Sequence, residues 1–491
     1  MIFSLTFIYD DRMPLPAEIE GIIGAARYSD ILRRRVSLGE EVRREVAEGG
    51  CEDFFHLIDD RDARFLAGMI DTNPSDRIFL RLPSCLMFNR PGALAALVAQ
   101  ASYAPGSMLL TNPMQGEGLA MLVADDCLPL LKPYDPAVIS EFLLMPRLQP
   151  LGSIRSDQSS LVDLRETTQF LDYMNGATET RMFNVTKTNK GVLRKASTDR
   201  AKMEAEYKFF HIVPEEFKQF LLPTFGFEDD GKQASYAMER LLVPDVALQF
   251  IHQAFNEASF SALVDRFLFF IDTRPTKKTN VENVRATATK TILDKMDARL
   301  KDFTITKAGK QLDKVLTAAG PAGGLEEMAE RSRIVIRKSI AQDPSDCLVI
   351  GHGDPCFSNI LFDRRTGMMR LIDPRGARNI DEAWMHPLYD LAKFSHSILG
   401  GYDFVNTDLF DCCIDADMRL RLALQDDGPP QWACAIFLDK IKNIGVPLFM
   451  IRAYELSLFM SMLPLHADHP RKLVGFALIA ARLLKELEED S

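Results

Sequence analysis

The chain is poor in cysteine, and its cysteines are not spaced for metal binding. Its 491 residues include eight cysteines, and none of them forms a C-x-x-C motif. Neither a disulfide framework nor a zinc ribbon is therefore indicated. A reducing compartment fits this usage best, and we interpret the protein as cytoplasmic.

Long uninterrupted apolar segments are also missing. No run approaches the roughly 18 apolar residues that suggest a membrane helix, and the richest tract, residues 473–484, contains Arg482. The N-terminal sequence MIFSLTFIYDD has no basic leader and no small-residue cleavage site. We interpret it as a buried strand rather than a signal peptide, and we predict no membrane span.

Basic residues are fewer than acidic ones. The chain has 58 Lys and Arg and 69 Asp and Glu, and its formal net charge is −11. This balance argues against nucleic acid or an anionic membrane as the main partner. With 47% hydrophobic and 26% charged residues, the composition is that of a globular protein of two to four domains. We expect small molecules or proteins as partners, and the sequence does not indicate an oligomeric state.

Residues 1–150 contain short apolar runs that alternate with helical stretches such as residues 17–46, and this pattern predicts an α/β domain with a mostly parallel sheet. Three runs end in paired acids, which are Asp10/Asp11, Asp59/Asp60 and Asp125/Asp126. Such pairs could bind a metal-nucleotide, as in nucleotidyltransferases, but no glycine-rich loop follows the first strand. We expect helix-capping or solvated turn acids in a degenerate, non-catalytic domain that recognises a partner or substrate.

Residues 151–164 are predicted to form a linker, and residues 165–243 a small lobe. A hairpin is expected around the turn Asn189-Lys190-Gly191, whose Asn and Gly tolerate positive φ. A helix over residues 198–210 follows, with Thr198 or Asp199 as its N-cap. The expected strands are residues 182–188, 192–196, 221–227 and 233–238.

Residues 244–491 are predicted to form a large lobe with helices over 292–312, 325–340 and 472–487. Its exception is a β-rich insert, residues 347–373, in which a polar loop precedes two strands joined by a turn at 364–367. We predict a pairing that places Asn359 opposite Asp373 and Leu361 opposite Leu371.

This pairing would bring together three polar side chains suited to phosphotransfer. The Asn359 amide and the Asp373 carboxylate are hard oxygen ligands of the kind that magnesium prefers. Asp354, five residues before Asn359, is placed to accept a proton from a hydroxyl that attacks a γ-phosphoryl group. A loop acid followed by a metal-binding Asn and Asp is the order found in kinases.

The motif HGDPCFSN, residues 352–359, resembles the H-G-D-x-x-x-x-N catalytic loop of the aminoglycoside phosphotransferase and choline kinase superfamily. IDPRG, residues 372–376, resembles its metal-binding segment, and HPLYDLA, residues 386–392, is similar to its D-L-A helix. The resemblance covers about residues 165–491. It implies an α+β bilobal protein-kinase-like phosphotransferase fold behind the N-terminal α/β domain.

By position, the resemblance makes Asp354 the catalytic base and Asn359 and Asp373 the magnesium ligands. His352 is interpreted as a residue that structures the loop through hydrogen bonds. Asp390 is the expected supporting acid beneath the loop.

The resemblance also implies a nucleotide-binding small lobe. In such kinases a strand Lys pairs the nucleotide phosphates and is held by a helix Glu. Lys195 and Glu206 occupy those places, with Arg194 and Glu204 as alternatives.

Two further nucleotide contacts follow from the same resemblance. Residues 236–241 resemble the hinge that binds the adenine edge, with Glu239 as the candidate. The small lobe has no G-x-G-x-x-G, so Gly176, in the sequence Asn-Gly-Ala-Thr of residues 175–178, is the candidate loop glycine. The expected cofactors are Mg²⁺ and ATP or GTP.

Arg375 and Arg378 follow the metal-binding Asp and could neutralise the transferring phosphate or a substrate anion. Ion pairs with Asp381 or Glu382 are the favoured interpretation for both.

We predict a kinase that transfers the γ-phosphoryl group to a hydroxyl of a sugar, an amino alcohol or a surface-polysaccharide precursor. One alternative is a pseudokinase scaffold or binding protein. Another is a bifunctional enzyme whose residues 1–150 have nucleotidyltransferase activity.

Overall fold

A computed structural model describes residues 4–33, 36–72, 77–101, 103, 106–110, 118–143, 161–175, 184–189 and 191–489. The chain divides into two compact units, residues 1–177 and 178–491.

The first unit combines short strands with amphipathic helices. Its elements are β1 (Ser4–Asp10), α1 (Ala17–Ile23), β2 (Leu32–Arg33), β3 (Val36–Ser37), α2 (Leu38–Glu48), β4 (Asp53–Leu57), α3 (Asp60–Thr72), β5 (Arg77–Pro83), β6 (Leu86–Phe88), α4 (Ala93–Ala101), β7 (Met108–Leu109), β8 (Ala120–Val123), α5 (Ala124–Cys127), α6 (Pro136–Leu143), β9 (Leu161–Asp163) and α7 (Thr167–Asn175). Short 3-10 helices span Tyr28–Asp30 and Leu128–Leu131.

The main sheet of this unit has the strand order β4-β1-β5-β8-β7. β1 is parallel to β4 and β5, whereas β8 is antiparallel to β5 and β7. The α/β character is as expected, and four of the five strands run in the same direction, with β8 as the antiparallel strand. The connection from β7 to β8, residues 110–119, is shorter than a parallel crossover requires.

The helical stretch expected at residues 17–46 consists of two helices with two short strands between them. α1 ends at Gly24, which has a φ of 65°. α2 begins after Ser37, whose hydroxyl accepts the Glu40 N–H while the Glu40 carboxylate accepts the Ser37 N–H. This capping box fixes a helix start that apolar spacing alone did not reveal.

The paired acids examined at the ends of β1 and β4 have side-chain partners. Asp10 is buried between Arg12 and Arg81, each 2.8 Å away. Burial opposes ionisation, but the two guanidinium groups outweigh it and lower the pKa of Asp10 to about 2. Asp59 accepts N–H groups of Arg61 and Asp62 at the start of α3, as a helix cap does. Asp10 is therefore a buried ion-pair acid, not the capping or solvated turn acid expected.

The division between the units falls after residue 177, not at the expected linker 151–164. β9 pairs with β6, and the Leu164 N–H donates to the Cys85 carbonyl at 2.8 Å. α7 follows directly and packs against α1. Residues 161–175 therefore belong to the first unit rather than to the linker and the small lobe.

The second unit begins with a small lobe of antiparallel strands and one long helix. Its elements are β10 (Asn184–Asn189), β11 (Val192–Ser197), α8 (Arg200–Ile212), α9 (Glu215–Lys218), β12 (Thr224–Asp229) and β13 (Ala234–Glu239). The sheet order is β10-β11-β13-β12. The Asp199 carboxylate accepts the Lys202 N–H and caps α8, which was one of the two expected caps.

A mostly helical large lobe follows. Its elements are α10 (Val246–Ile251), α11 (Glu257–Thr273), β14 (Thr276–Lys278), α12 (Val281–Ala288), α13 (Lys295–Thr304), α14 (Lys307–Ala319), α15 (Leu325–Gln342), β15 (Cys347–Ile350), β16 (Ile360–Asp363), β17 (Met368–Leu371), β18 (Trp384–Met385), α16 (Tyr389–Ile398), α17 (Tyr402–Asn406), β19 (Phe410–Ile414), β20 (Leu420–Leu424), α18 (Gln431–Asn443), α19 (Leu448–Met462) and α20 (Pro470–Glu489). A π-helix, Thr289–Asp294, joins α12 to α13. Short 3-10 helices span Phe357–Asn359, Ile380–Ala383, Gln425–Asp427 and Leu463–His466.

These two lobes give the second unit the α+β bilobal arrangement expected from the sequence. The helix expected at 292–312 is interrupted at Ile305, after which the Thr306 hydroxyl caps α14. The helices expected at 325–340 and 472–487 correspond to α15 and α20.

The core of the large lobe is centred on α19, which packs against α13, α15, α16 and α20. The stretch Leu448–His466 is long and apolar enough to cross a membrane, but 72% of its most apolar 18 residues are buried inside the protein. The core helices of globular proteins can be just as long and apolar.

Asp403 is buried in α17, which packs against α10 and α16. Burial, assisted by the nearby Asp245 carboxylate, raises the pKa of Asp403 to about 7. The folded state therefore holds this proton more tightly than the unfolded chain, where the pKa is about 4. The free energy of unfolding should fall as the pH rises from about 4 to about 7.

The contribution of Asp403 amounts to a few kcal/mol, since one pKa unit corresponds to about 1.4 kcal/mol. Denaturation midpoints at pH 5 and pH 8 should differ less in Asp403→Asn than in the wild type. Asp302→Asn, at an exposed position of α13, serves as control. Equal differences in Asp403→Asn and the wild type would contradict the assignment.

Candidate active site

The polar loop after β15 is held in place by the buried carboxylate of Asp390. One oxygen accepts the His352 N–H at 3.0 Å, and the other accepts the Gly353 N–H at 2.7 Å. Gly353 has a φ of +83°, and a Cβ there would lie 2.6 Å from the Arg375 Cβ. The loop therefore requires glycine at this position, and Asp390 lies where a supporting acid was predicted.

Arg274, at the end of α11, completes the support and was missed by the sequence analysis. Its guanidinium donates to Asp390 at 3.2 Å and to the Pro387 carbonyl at 2.8 Å. Burial lowers the pKa of Arg274, although Asp390 acts in the opposite direction. Because 116 residues separate the two partners, no local pattern could have revealed the pair.

His352 is fully buried in the same loop. Its Nδ1 accepts the Asp354 N–H at 3.3 Å, and its carbonyl accepts the Arg375 N–H at 2.9 Å. Burial lowers its pKa. A neutral imidazole that accepts a backbone hydrogen bond matches the loop-structuring role predicted for His352.

The strands β16 and β17 pair with a register that differs by one residue from the prediction. Ile360 lies opposite Leu371, and Leu361 lies opposite Arg370. The turn spans residues 364–367 as predicted, and there the Asp363 carboxylate accepts the Arg365 N–H and the Thr366 hydroxyl proton. This four-residue turn places Asp363 opposite Met368, which is one residue out of step with the predicted pairing of Leu361 with Leu371.

The shifted register places Asn359 opposite Ile372, the residue before Asp373, at the open end of the hairpin. The Ile372 N–H donates to the Asn359 carbonyl at 3.0 Å, so Asp373 is the next residue beyond the last bond. Asp373 has a φ of 56°. This left-handed conformation is uncommon for a residue other than glycine and occurs most often at functional turns.

Lys195 of β11 connects this hairpin end to the small lobe. Its Nζ lies 2.7 Å from the Glu206 carboxylate on α8 and 3.0 Å from the Asp373 carboxylate. Burial acts to lower the pKa of Lys195, but the two carboxylates outweigh it and raise that pKa. The Tyr236 hydroxyl also donates to Glu206 at 2.9 Å.

The alternatives to this ion pair have other partners. Arg194 lies 3.0 Å from Glu228, and Glu204 lies 2.6 Å from Lys208. The structure therefore favours Lys195 and Glu206 over Arg194 and Glu204 as the small-lobe pair.

α8 is attached directly to the loop that follows Asp373. The Ala377 N–H donates to the Ala205 carbonyl at 3.1 Å. A Cβ on Gly376 would lie 2.6 Å from the Glu206 nitrogen. This close backbone contact fixes the position from which Glu206 reaches Lys195.

Asp354, the predicted base, forms an ion pair that the sequence analysis did not anticipate. Its carboxylate lies 2.9 Å from the Lys393 Nζ of α16. Burial acts to lower the pKa of Lys393, but Asp354 and other neighbours outweigh it, so that pKa is raised. Lys393 follows Asp390 by three residues, and helical spacing could have placed both on one face of α16.

Three remaining candidates lie outside this cluster. Glu239 is exposed at the end of β13 and pairs with Val192 through the sheet, so its hinge role stays a prediction. Gly176 lies outside the described residues. Arg378 forms the expected ion pair with Glu382 at 3.2 Å, whereas Arg375 has no acidic partner in the described part of the chain.

The side chains at the hairpin end fit the magnesium ion that was expected from the sequence motifs. The Asn359 Nδ2 donates to the Asp354 carbonyl at 2.8 Å, which leaves the amide oxygen as the metal-binding atom. No group of three or more His, Cys, Asp or Glu suited to a metal occurs within the described ranges. One amide and one carboxylate are nevertheless what magnesium needs when phosphates and water complete its shell.

No model of a known protein family and no curated protein matches the sequence. Among solved structures, the chain is similar to a thermostable mutant of the aminoglycoside phosphotransferase APH(4)-Ia in its apo form. The identity is 12%, the match covers 62% of this chain and 94% of that chain, and the TM-score is 0.37.

A choline kinase from Cryptosporidium parvum Iowa II is similar at 11% identity, over 64% of this chain and 88% of that chain, with a TM-score of 0.28. A complex of the APH(4)-Ia mutant with AMP-PNP and hygromycin B is similar at 10% identity, over 63% of this chain and 93% of that chain, with a TM-score of 0.38. Similarity at this level assigns neither activity nor substrate.

Proposed function

We propose that the second unit is a nucleoside-triphosphate-dependent kinase that phosphorylates a hydroxyl group of a small molecule. The observation that carries this proposal is the convergence of Glu206, Lys195 and Asp373 where the two lobes meet. A buried strand Lys held between a helix Glu and a hairpin Asp is the arrangement that positions nucleotide phosphates in kinases.

In this proposal Lys195 binds and orients the nucleotide phosphates, and Glu206 holds Lys195 in place. Asn359 and Asp373 would hold the magnesium ion. When bound, magnesium neutralises charge on the β- and γ-phosphates. With magnesium held there, the Lys195 ammonium would contact the phosphates while it keeps its ion pair with Glu206.

Asp354 acts on the acceptor. Its carboxylate orients the acceptor hydroxyl and takes its proton while the hydroxyl oxygen bonds to the γ-phosphorus. The bond between the γ-phosphorus and the bridging oxygen breaks, and the nucleoside diphosphate leaves with the electron pair. The Lys393 ammonium, which lies beside Asp354, fixes the carboxylate in position.

The metal-binding role is tested with Asp373→Ala. A ligand at one hundred times its dissociation constant stabilises the folded state by about 2.7 kcal/mol. The wild type should be stabilised to this extent, and its melting temperature should rise, when ATP or GTP is added with Mg²⁺. In Asp373→Ala the part of this rise that depends on Mg²⁺ should be lost. Differential scanning fluorimetry with and without EDTA measures both.

Asp381→Ala is the matched control, because Asp381 lies in the same segment with an exposed side chain and should respond as the wild type does. A full Mg²⁺-dependent shift in Asp373→Ala would contradict the metal-binding role. Nucleotide hydrolysis with no acceptor turned over would instead favour the scaffold alternative.

A further inference from the structure

The Lys295 ammonium contacts the buried hydroxyl of Tyr389, next to the catalytic loop, and two further cations, Lys393 and Arg375, act on the same group electrostatically. The Lys295 Nζ donates to this hydroxyl at 3.2 Å and lies 5.7 Å from the ring centre. Burial acts to raise the pKa of Tyr389, but Lys295, Lys393 and Arg375 together outweigh it and lower that pKa. The three cations therefore act on one small volume.

Arg375 lies against the loop itself. Its Cβ and Cδ would be 2.6 and 3.3 Å from a Cβ built on Gly353, the residue before Asp354. Its backbone is anchored by the hydrogen bond to His352, while its side chain is exposed. The Arg375 side chain is therefore anchored beside the loop that carries Asp354 and is open to a ligand.

The charges in this volume do not balance. Lys393 pairs with Asp354, but neither Lys295 nor Arg375 has an acidic partner in the described part of the chain. Burial and the neighbouring cations Arg375 and Lys393 lower the pKa of Lys295. A partly buried ammonium such as that of Lys295 is normally paired with an anion, and the exposed guanidinium of Arg375 adds a second cation beside the same loop.

A second observation concerns the backbone that carries Lys295. The π-helix Thr289–Asp294 ends immediately before it. π-helical turns are rare, cost helical regularity and occur frequently at functional sites. The irregular π-helical backbone therefore lies directly before Lys295, as is common for residues of functional sites.

We propose that the acceptor is an anionic hydroxyl compound whose carboxylate or phosphate is bound by Lys295 and Arg375. This inference rests on the proposed kinase function and names its substrate class. The anion would neutralise the two unpaired cations while its hydroxyl reaches Asp354. A cationic acceptor would meet like charges instead, which costs several kcal/mol in a binding site.

The first test uses acceptors that differ in charge at one carbon atom. Glucose, 6-amino-6-deoxyglucose, glucuronate and glucose 6-phosphate, which differ at C6, form one set, and ethylene glycol, ethanolamine and glycolate form another. We expect kcat/KM to be at least tenfold higher for an anionic member than for its neutral counterpart. The carboxylate and phosphate members distinguish the two kinds of anion, and faster turnover of neutral or cationic members would overturn the inference.

The second test assigns the anion contact to particular residues. Lys295→Met and Arg375→Met should each raise KM for the anionic acceptor at least tenfold, and more than they raise KM for the nucleotide. Lys295→Arg should restore most of the loss. Lys290→Met, at an exposed position of the π-helix, should behave as the wild type. A larger effect on nucleotide KM would place these cations on the nucleotide and overturn the inference.

A binding measurement separates this inference from the kinase proposal. With saturating Mg²⁺ and AMP-PNP, sulfate at constant ionic strength should raise the melting temperature of the wild type and Lys290→Met, but not of Lys295→Met. Equal shifts in all three proteins, or no shift in any, would overturn the anion site while leaving nucleotide binding intact. Failure of Mg²⁺ and AMP-PNP to bind the wild type would instead overturn the kinase proposal.

Discussion

Asp354→Asn is expected to lower kcat by roughly 10²- to 10⁴-fold, the usual contribution of a general base. The amide keeps the size of the carboxylate but cannot accept the hydroxyl proton. It also removes the charge that pairs with Lys393. Nucleotide binding should persist, because the residues proposed to hold nucleotide and magnesium, Lys195, Asn359 and Asp373, are unchanged. Nucleoside diphosphate release measures kcat, and calorimetry measures the dissociation constant.

Asp346→Asn is the control for this variant, since Asp346 is an exposed acid just before β15. Its kcat should match that of the wild type. An unchanged kcat in Asp354→Asn would remove the base assignment. Loss of nucleotide affinity together with kcat would indicate that Asp354 shapes the site rather than takes a proton.

Asp390→Ala is expected to lower the free energy of unfolding of the second unit by about 3–5 kcal/mol, the usual cost of removing one partner of a buried ion pair. The variant leaves the Arg274 guanidinium buried without its carboxylate. It also leaves the His352 and Gly353 N–H groups without acceptors. Urea denaturation, followed at the transition of the second unit, measures the change.

Two control variants are compared with Asp390→Ala. Asp302→Ala, at an exposed position of α13, should change the free energy of unfolding by no more than about 0.5 kcal/mol. Asp390→Asn keeps an oxygen acceptor and should lose less than Asp390→Ala. A loss below about 1 kcal/mol in Asp390→Ala would show that the carboxylate does not support the loop.

The parts of the site that lie close together in sequence were predictable. The residues 352–359 form one continuous motif, and Lys195 and Glu206 are only 11 residues apart. Their geometry is set by a strand, a turn and a helix whose signals are local. The bilobal α+β architecture was implied by the resemblance of residues 352–359, 372–376 and 386–392 to one phosphotransferase superfamily.

The parts that depend on contacts distant in sequence were not predictable. Arg274 reaches Asp390, and Lys295 reaches Tyr389, through packing of helices far apart along the chain. The hairpin register was wrong by one residue because the predicted pairing of Leu361 with Leu371 does not fit the four-residue turn 364–367, which places Asp363 opposite Met368. The unit boundary was misplaced because the pairing of β9 with β6 joins strands that lie far apart in sequence.

The hydrogen bond from the Ala377 N–H to the Ala205 carbonyl restricts the movement of α8. In kinases that are switched by moving a helix, the helix Glu swings away from its Lys in the inactive form. Here that helix is tied to the segment that follows Asp373, and Gly376 lets the two backbones touch. A kinase built this way would need no helix movement to form the ion pair between Lys195 and Glu206, so its activity would follow the supply of its substrates.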